Sequence, residues 1–494
     1  MKGTDRPPLV RRTDHMIRAD PARVVSRVFL PGEEPVRTGI SRTGAVVERL
    51  LALTDAEAEA TVRETMESFG ARHHDLRAIL ESHFAVVADH VPDPTGIPAI
   101  RRLLIGACMT QEYAIESAAL FNPSMVLHPD QSGLAPGTTR FVMSVRGVGE
   151  GHISSIEFRT GTVDARDQVA FDVPGAMTSL PGVVEPQHSR IAFERNNAEL
   201  PGEAGGTSQV LATLPEVFGP AELRVALESR TGWIGGSVAA AATAARIAHI
   251  AAFDYTITFD PHTRLDSRVI LPRSPAESHG MEDVRLVRFV DADGTEHYLG
   301  TYTAFDGVRI APHLLRTEDF TTFRVGRLSG TAAKTKGMAL FPRTVNGQYL
   351  ALSRWDRENN ALATSQNLLH WEDAGTLAGP QRPWGIIQTG NCGPPLETPA
   401  GWLVLTHGVG PMRRYSIGAL LLDLDDPRKV LAQLDEPLLV PSADEREGYV
   451  PNVVYSCGAL LRGDTLVLPY GASDAMVRVA LVDLPGLLET MRIR

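Results

Sequence analysis

Residues 298–303 read Tyr-Leu-Gly-Thr-Tyr-Thr, and this short β-type run has four degenerate relatives elsewhere in the chain. The relatives are 140–146 (RFVMSVR), 349–354 (YLALSR), 402–407 (WLVLTH) and 465–470 (TLVLPY). From residue 298 onward the runs begin 51 to 63 residues apart. A degenerate repeat of strands and turns at this spacing predicts the blades of a β-propeller. Five runs therefore predict a mainly β fold with five blades.

The region before the first blade has a helical pattern. Apolar residues follow helical spacing over 55–91, and the pattern stops at Pro92 and Pro94. Residues 99–119 are a further helical candidate. Residues 1–20 precede it as a loose arm. We therefore expect an N-terminal arm and α-helical region over 1–118.

The propeller is expected to occupy residues 119–494 and to contain one insertion. The gap between the runs at 140 and 298 is too long for a single blade. Helical periodicity within 215–253 indicates that the insertion, at about 175–255, is helical.

Composition excludes several classes of protein. The 494 residues carry 48 basic and 59 acidic side chains, for a net charge of −11, which argues against non-specific nucleic-acid binding. Three cysteines without a CxxC pair indicate neither a disulfide framework nor a zinc ribbon, and reduced thiols predict a cytoplasmic protein. The N-terminus lacks an apolar signal region, and the Ala-rich segment 238–253 contains Arg246 and His249, so no membrane span is expected. No metal-ligand spacing is visible.

The acidic tract at 278–285, Ser-His-Gly-Met-Glu-Asp-Val-Arg, is a candidate catalytic element. It places Glu282 and Asp283 beside an arginine, just before a strand-like run at 286–290. A carboxyl group at a strand edge beside a fixed cation suits general acid catalysis on a sugar. A solvated turn is the alternative for this tract alone.

A propeller brings distant residues together, because the innermost strand of every blade delivers side chains to one funnel. Asn122 in FNPS, Arg146 at the end of the first run, and Asp474 in YGASD are then candidates to bind sugar hydroxyls. Each also fits a structural role, as a turn residue or a surface charge.

Two cations flank a hairpin signature in the middle of the chain. Lys336 and Arg354 lie on either side of LFPRTVNGQY, whose Asn-Gly pair marks the turn. Two cations at one end of a blade suit an oxyanion such as phosphate. His407 ends a further run and could contact an anion or a sugar, although a lone histidine also fits a structural role.

Five segments in order resemble glycoside hydrolase family 130, the β-mannoside phosphorylases and related mannosidases, over roughly 120–475. They are FNPS, EDVR, LFPR…NGQYLALSR, GNCGPPLET…GWLVLTHG and YGASD. The resemblance implies a five-bladed propeller with Asp283 as the general acid. It implies sugar binding in the −1 subsite by Asn122, Arg146 and Asp474, to which we add Glu282. It implies phosphate binding by Lys336, Arg354, Gln388 and His407.

Two departures from the family pattern weaken the predicted anion site. An arginine is more typical where this chain has Lys336, and a lysine is more typical where it has Gln388. Lysine loses the bidentate fork of arginine. Glutamine loses the charge altogether.

The resemblance implies an inverting enzyme that acts on β-mannooligosaccharides or mannosyl glycosides. The first hypothesis is phosphorolysis to α-mannose 1-phosphate, with inorganic phosphate as co-substrate and no cofactor. The acid's proton is expected to pass through a sugar hydroxyl. A hydrolase would instead need a carboxylate base about 6.5–9.5 Å from the acid, for which Glu150, Glu157 and Glu397 are candidates. A non-catalytic carbohydrate-binding propeller is the third hypothesis. No nucleic-acid or membrane partner is expected, and a homo-oligomer is left open.

Overall fold

A computed structural model describes residues 8–184, 186–200, 205–231 and 238–491. These residues form two compact units. The β unit comprises the described residues of 8–19, 118–174 and 181–491, and the helical unit comprises 20–117 and 175–180. Strand accounts for 39% and helix for 24%, which confirms the prediction of a mainly β protein.

The first strand, β1 (Val10–Arg18), belongs to the β unit and corrects the prediction of a loose arm over residues 1–20. It pairs antiparallel with the last strand of the chain, so that Val10 lies opposite Val482 and Ile17 opposite Val477. Its inner positions are half-buried, as strand geometry requires. The inner positions Thr13 and His15 are polar and the outer Met16 is apolar, so the sequence shows no alternation.

The helical unit confirms the prediction of helices in the first hundred residues, with two corrections. Its elements are β2 (Val24–Val28), β3 (Pro35–Arg37), β4 (Ile40–Ser41), α1 (Arg42–Leu51), α2 (Asp55–Phe69), α3 (Leu76–Val86), α4 (Ala99–Cys108) and β5 (Thr110–Ala114). The run 55–91 divides into α2 and α3, because Asp75 caps α3 by accepting a hydrogen bond from the Ala78 amide at 2.9 Å. The helical pattern at 99–119 ends at Cys108, after which β5 pairs with β2.

The β unit continues with a first antiparallel group and then the segment predicted as an insertion. The group is β6 (Ala119–Leu127), β7 (Thr139–Val148), β8 (Ser154–Val163) and β9 (Val169–Phe171). The following elements are β10 (Gly182–Val184), β11 (His188–Ser189), α5 (Arg190–Glu199), α6 (Gly205–Leu211), β12 (Val217–Phe218), α7 (Pro220–Thr231), α8 (Val238–Ala251), β13 (Tyr255–Thr258) and β14 (Val269–Ile270). Helices α5 to α8 fulfil the predicted helical content of 175–255, although residues 185, 201–204 and 232–237 lie outside the described residues. The exact domain boundaries stay predictions.

Four further antiparallel groups follow. The second is β15 (Gly280–Val290), β16 (Glu296–Phe305), β17 (Ile310–Thr317) and β18 (Thr322–Arg327). The third is β19 (Ala339–Leu340), β20 (Tyr349–Ser353), β21 (Asn360–Ser365) and β22 (Glu372–Ala378). The fourth is β23 (Gln388–Asn391), β24 (Leu396–Thr398), β25 (Gly401–Val409), β26 (Tyr415–Leu422) and β27 (Val430–Gln433). The fifth is β28 (Val454–Tyr455), β29 (Leu460–Arg462), β30 (Thr465–Ala472) and β31 (Met476–Asp483), which β1 joins before the closing helix α9 (Leu484–Thr490).

The five related sequence runs fall on equivalent strands, β7, β16, β20, β25 and β30. The first and second groups share one sheet, because Gly280 in β15 bridges in parallel to Ser154 in β8. The other three groups form separate sheets. The repeat therefore predicts the strand groups correctly.

A buried glutamate recurs at the turns that precede the second and fifth groups. Glu277 accepts hydrogen bonds from the Ser274 amide at 2.9 Å and from the Tyr302 hydroxyl. Glu445 likewise accepts from the Ser442 amide at 2.9 Å and from the Tyr470 hydroxyl at 2.5 Å. Each glutamate closes a capping box on a short 3₁₀ turn. The first of these turns fixes the entry into β15, which carries the acidic tract.

Two predictions about the chain's environment concern cysteines and membrane spans. Cys108, Cys392 and Cys457 are free thiols. None of the helices in the described ranges has the length and apolar character needed to cross a bilayer.

Candidate functional site

Local breaks in strand register place the candidate sugar-binding residues. The pairing of β6 with β7 shifts between Phe121 and Ser124, and that of β15 with β16 shifts between Glu282 and Arg285. Asn122 and Asp283 lie inside these bulges with φ of 50° and 59°, and Asp474 has φ of 49° in the turn between β30 and β31. Left-handed backbone at non-glycine residues costs about 1–3 kcal/mol each and clusters at functional sites. The strained backbone at these three positions directs three polar side chains into one cavity.

These three residues line one cavity of about 470 Å³ in the β unit. All five strand groups contribute to its wall. The predicted residues that line it are Asn122, Arg146, Asp283, Lys336, Arg354, Gln388, His407 and Asp474. The structure thus brings together eight side chains that are spread over more than 350 positions of sequence.

The wall at Asp283 is a network of charged and amide groups. Asn122 donates to Asp283 Oδ1 at 2.7 Å, and Arg146 Nη1 approaches the same oxygen at 3.4 Å. Arg146 Nη2 donates to Glu282 Oε1 at 2.8 Å, and Lys336 Nζ lies 3.6 Å from Glu282 Oε2. Glu282 is not among the residues that line the cavity. It therefore lies behind the wall, where it holds Arg146 and Lys336.

Asp283 is held as a carboxylate. Burial by itself raises the pKa of this group, but Arg146, Lys336 and Arg285, together with the hydrogen bond from Asn122, outweigh burial and lower the pKa below its usual range. The candidate acid is therefore ionised at neutral pH.

Asp474 has the opposite shift. Burial and the nearby charge of Asp283 raise the pKa of Asp474 to about 7. Two carboxylates that share a cavity thus differ in protonation, and the proton resides on Asp474 below neutral pH.

The opposite wall contains Arg354 and His407. Arg354 Nη1 lies 2.9 Å from His407 Nε2, while His407 Nδ1 lies 3.2 Å from the Asn391 carbonyl oxygen. A carbonyl only accepts, so Nδ1 carries the proton and Nε2 accepts from Arg354. Burial, with the charges of Arg354 and Arg285, moves the pKa of His407 well below its ordinary value. His407 is therefore neutral and holds Arg354 in place.

Gly390 makes this contact possible. A Cβ at this position would lie 2.5 Å from His407 Cε1 and 2.9 Å from Arg354 Cδ. Any larger residue would displace the pair.

Several residues of the cavity wall are absent from the sequence prediction. They are Arg285, Arg357, Arg413, Tyr415 and Tyr455 among others. Arg285 stands in the quoted acidic tract, where the resemblance gives it no role. It donates to the Asp283 carbonyl at 3.1 Å and to the Tyr455 hydroxyl at 2.7 Å. Arg357 and Arg413 lie in turns that carry no recognisable motif.

The candidate bases for a hydrolase lie elsewhere. Glu157 is buried 3.7 Å from Arg159, and Glu397 pairs with Arg343 at 2.6 Å. Glu150 is exposed in the turn between β7 and β8. Among the described residues, the carboxylates that line the cavity are Asp283 and Asp474. Within the same residues, no group of three or more His, Cys, Asp or Glu side chains is arranged to hold a metal ion.

Comparison with known proteins decides the family. The model of glycoside hydrolase family 130, described as beta-1,4-mannooligosaccharide phosphorylase, matches residues 246–493, which is half of the chain. The chain belongs to glycoside hydrolase family 130. The resemblance predicted from the sequence segments is confirmed, and with it the prediction of an enzyme of this family.

The chain is also similar to individual proteins. A 1,2-beta-oligomannan phosphorylase of Thermoanaerobacter sp. (strain X514) is 35% identical over 234 residues, covering 45% of this chain and 74% of that protein. A beta-1,2-mannobiose phosphorylase of Listeria innocua serovar 6a is 35% identical over 224 residues, covering 43% of this chain and 61% of that protein. The structure of a Listeria innocua beta-1,2-mannobiose phosphorylase with beta-1,2-mannobiose aligns at a TM-score of 0.45 and 20% identity, over 77% of this chain and 93% of the other.

The family-130 match begins at residue 246, so it excludes the first strand group. Asn122 and Arg146 are therefore assigned to the site by their positions in the structure and not by the family match. Both contact Asp283, which lies inside the matched region.

The shifted pKa of Asp474 leads to a prediction about anion binding by this family-130 protein. Sulfate keeps both of its negative charges across the neutral pH range. Any change of its affinity with pH therefore comes from groups of the protein that gain or lose a proton. Below about pH 7 Asp474 is uncharged and the cavity is more positive; above it the new carboxylate repels anions. We expect the dissociation constant for sulfate, measured by calorimetry, to rise several-fold as the pH passes through 7. The variant D474N should lack this step, and an unchanged step in D474N would contradict the assignment.

Proposed function

We propose that this protein is an inverting β-mannoside phosphorylase that releases α-mannose 1-phosphate. The observation that carries the proposal is the charge of the cavity. Six arginine or lysine side chains line it against two carboxylates, in a chain with a net charge of −11. A cavity of this sign favours an anionic co-substrate. A hydrolase would need a second carboxylate as base, and none of the three predicted bases lines the cavity. The second carboxylate that does line it, Asp474, is assigned to the sugar in this proposal.

In this proposal the mannosyl unit lies against Asn122, Arg146 and Asp474, and phosphate lies against Lys336 and Arg354. A phosphate oxygen attacks the anomeric carbon while the bond to the leaving sugar breaks on the opposite face, which inverts the configuration. Asp283 supplies a proton to the leaving oxygen. The proton of monohydrogen phosphate then passes to Asp283, which restores the acid for the next cycle. No base is required, because phosphate is already anionic.

The same proposal explains how an ionised Asp283 becomes an acid. The cations that lower the pKa of Asp283 include Lys336, which is assigned to phosphate. A bound dianion neutralises these charges and raises the pKa of Asp283. Binding of the co-substrate would therefore load the acid with its proton.

We further propose that the five strand groups are the blades of a five-bladed propeller whose funnel is the cavity. Support comes from the five equivalent strands and from the cavity wall, to which every group contributes. The catalytic domain would cover 119–494 together with β1, and the insertion at about 175–255 would interrupt it. A cytoplasmic location and a homo-oligomeric state remain predictions.

Product analysis tests the proposed function. The protein is incubated with β-1,2- and β-1,4-mannobiose, each with and without inorganic phosphate. We expect mannose 1-phosphate only when phosphate is present, because none of the three predicted bases lines the cavity and Asp474 is assigned to the sugar. The α configuration is read from the proton NMR signal of the first product formed. Free mannose in equal yield without phosphate would establish hydrolysis, which the uncharged Gln388 favours, and the absence of any product would leave carbohydrate binding.

A further inference from the structure

Two arginines in the cavity wall form no salt bridge among the described residues. They are Arg357 and Arg413, both exposed and both at positive φ, 71° and 54°. The other lining cations are engaged. Arg146 and Lys336 pair with Glu282, Arg285 with Tyr455 and the Asp283 carbonyl, and Arg354 with His407. The unpaired guanidinium groups are therefore free to bind an anion.

Arg413 lies at the end of the sheet where Gln388 begins. Gln388 pairs with Val409 in β25, and Val409 pairs in turn with Tyr415 in β26. The turn 411–413 joins β25 to β26 at this same end. Gln388 Nε2 donates to the Tyr415 hydroxyl at 3.4 Å, and the Arg413 guanidinium carbon lies 6.0 Å from the centre of the Tyr415 ring. Gln388 and Arg413 thus contact the same tyrosine.

The backbone of this turn is strained in a way that aims Arg413. The hairpin between β7 and β8 has the same closure, since the Gly149 amide donates to the Ile153 carbonyl and the Gly410 amide to the Arg414 carbonyl, each at 3.0 Å. There the first left-handed position is a glycine, Gly151, with φ of 69°. In the second hairpin it is Met412, 89% exposed, with φ of 59°. Strain at two successive non-glycine residues, with no burial gained at Met412, is typical of a functional turn.

We propose that Arg413 is a phosphate-binding residue that supplies the positive charge that Gln388 lacks. The inference rests on the proposed phosphorolysis and names a further residue of that site. A guanidinium presents a planar fork of donors to an oxyanion, and the Tyr415 ring lies within cation–π distance of it. Burial and the charge of Asp283 raise the pKa of Asp474, and the charges of Arg146, Arg413 and Lys336 all act against that rise. Arg413 therefore shares Asp474 with two other cations and is not committed to it by a salt bridge. The positive charge that a lysine at position 388 would place on strand β23 is thus supplied from the turn at 411–413.

The first test removes the charge. In R413Q we expect the Michaelis constant for phosphate to rise about tenfold, as for loss of one charge-assisted contact in a partly exposed site. The constant for mannobiose should stay within about twofold. R414Q is the matched control, because Arg414 is the exposed neighbour and does not line the cavity. The dissociation constant for inorganic phosphate, measured by calorimetry without sugar, should change in parallel.

The second test returns the charge to the strand. In R413Q/Q388K we expect phosphate affinity to recover to within about threefold of the parent, whereas R413K should recover it partly because lysine lacks the fork. Unchanged phosphate affinity in R413Q, or a loss in R357Q with none in R413Q, would overturn the proposal. The calorimetric arm needs no turnover. A parent protein that binds phosphate but yields no mannose 1-phosphate would refute phosphorolysis, while the R413Q result would still decide the role of Arg413.

Discussion

D283N is expected to lower kcat by about 100- to 10,000-fold, the range that a positioned general acid contributes. Asparagine keeps the shape of Asp283 and its contact with Asn122, but it has no proton to give to the leaving sugar. The Michaelis constants should change less than kcat, since binding contacts persist. Steady-state rates of mannose 1-phosphate release measure the effect.

Two controls separate chemistry from folding in D283N. E282Q alters the adjacent carboxylate, which holds Arg146 and Lys336 but does not line the cavity, and should leave far more of kcat. D283N should also lower the pKa of Asp474, because the charge of Asp283 is one cause of its elevation. The pH step in sulfate affinity should then move to lower pH. Near-normal kcat in a folded D283N protein would remove Asp283 from the acid role.

Strand groups were predictable because strand periodicity and turn residues are local signals. YLGTYT at 298–303 and its relatives identify β7, β16, β20, β25 and β30, because each is a short β-type run bounded by turn residues and is buried along nearly its whole length. Sequence reasoning failed at β1, where the inner Thr13 and His15 are polar and the outer Met16 is apolar. It failed again at 55–91, where a capping aspartate divides one long helical pattern into two helices.

Site residues were predictable where a motif marks the end of a strand. Asp283 and Asp474 both belong to quoted segments, and both line the cavity. Arg413 was not predictable, because its position depends on positive φ in a turn of ordinary composition. Glu282 was predicted to bind the sugar beside Asp283. The bulge between Glu282 and Arg285 separates the two side chains, and of the two only Asp283 lines the cavity.

Protonation states were beyond sequence reasoning altogether. They depend on distances between strand groups, such as the contact of Arg146 with Asp283 across β7 and β15. The sequence predicts a proton on Asp283, whereas the charges around the two carboxylates lower the pKa of Asp283 and raise that of Asp474. The same holds for His407, whose neutral state follows from burial beside Arg354.

R354Q is expected to cause the largest loss of phosphate use among the cation variants. Arg354 faces the cavity with its position fixed by His407 and by the hydrogen bond of Thr335 to its own carbonyl at 2.6 Å. Removing one partner of a buried, charge-assisted contact costs about 2–4 kcal/mol, or roughly 30- to 1,000-fold in kcat/KM for phosphate. R354K should lose less, because it keeps the charge without the fork.

H407Q tests whether His407 acts on phosphate directly or through Arg354. If it only positions Arg354, H407Q should weaken phosphate affinity in the parent protein but have little further effect in R354Q, so the two losses are not additive. Because His407 is already neutral, the pH dependence of phosphate affinity should keep its shape in H407Q. Additive losses, or an ionisation that disappears with the imidazole, would instead show a histidine that contacts the anion as a cation. Because His407 is neutral, it holds Arg354 in place without adding a charge of its own to the cavity. A further cation near Gln388, in addition to Lys336 and Arg354, therefore matters for holding a dianion.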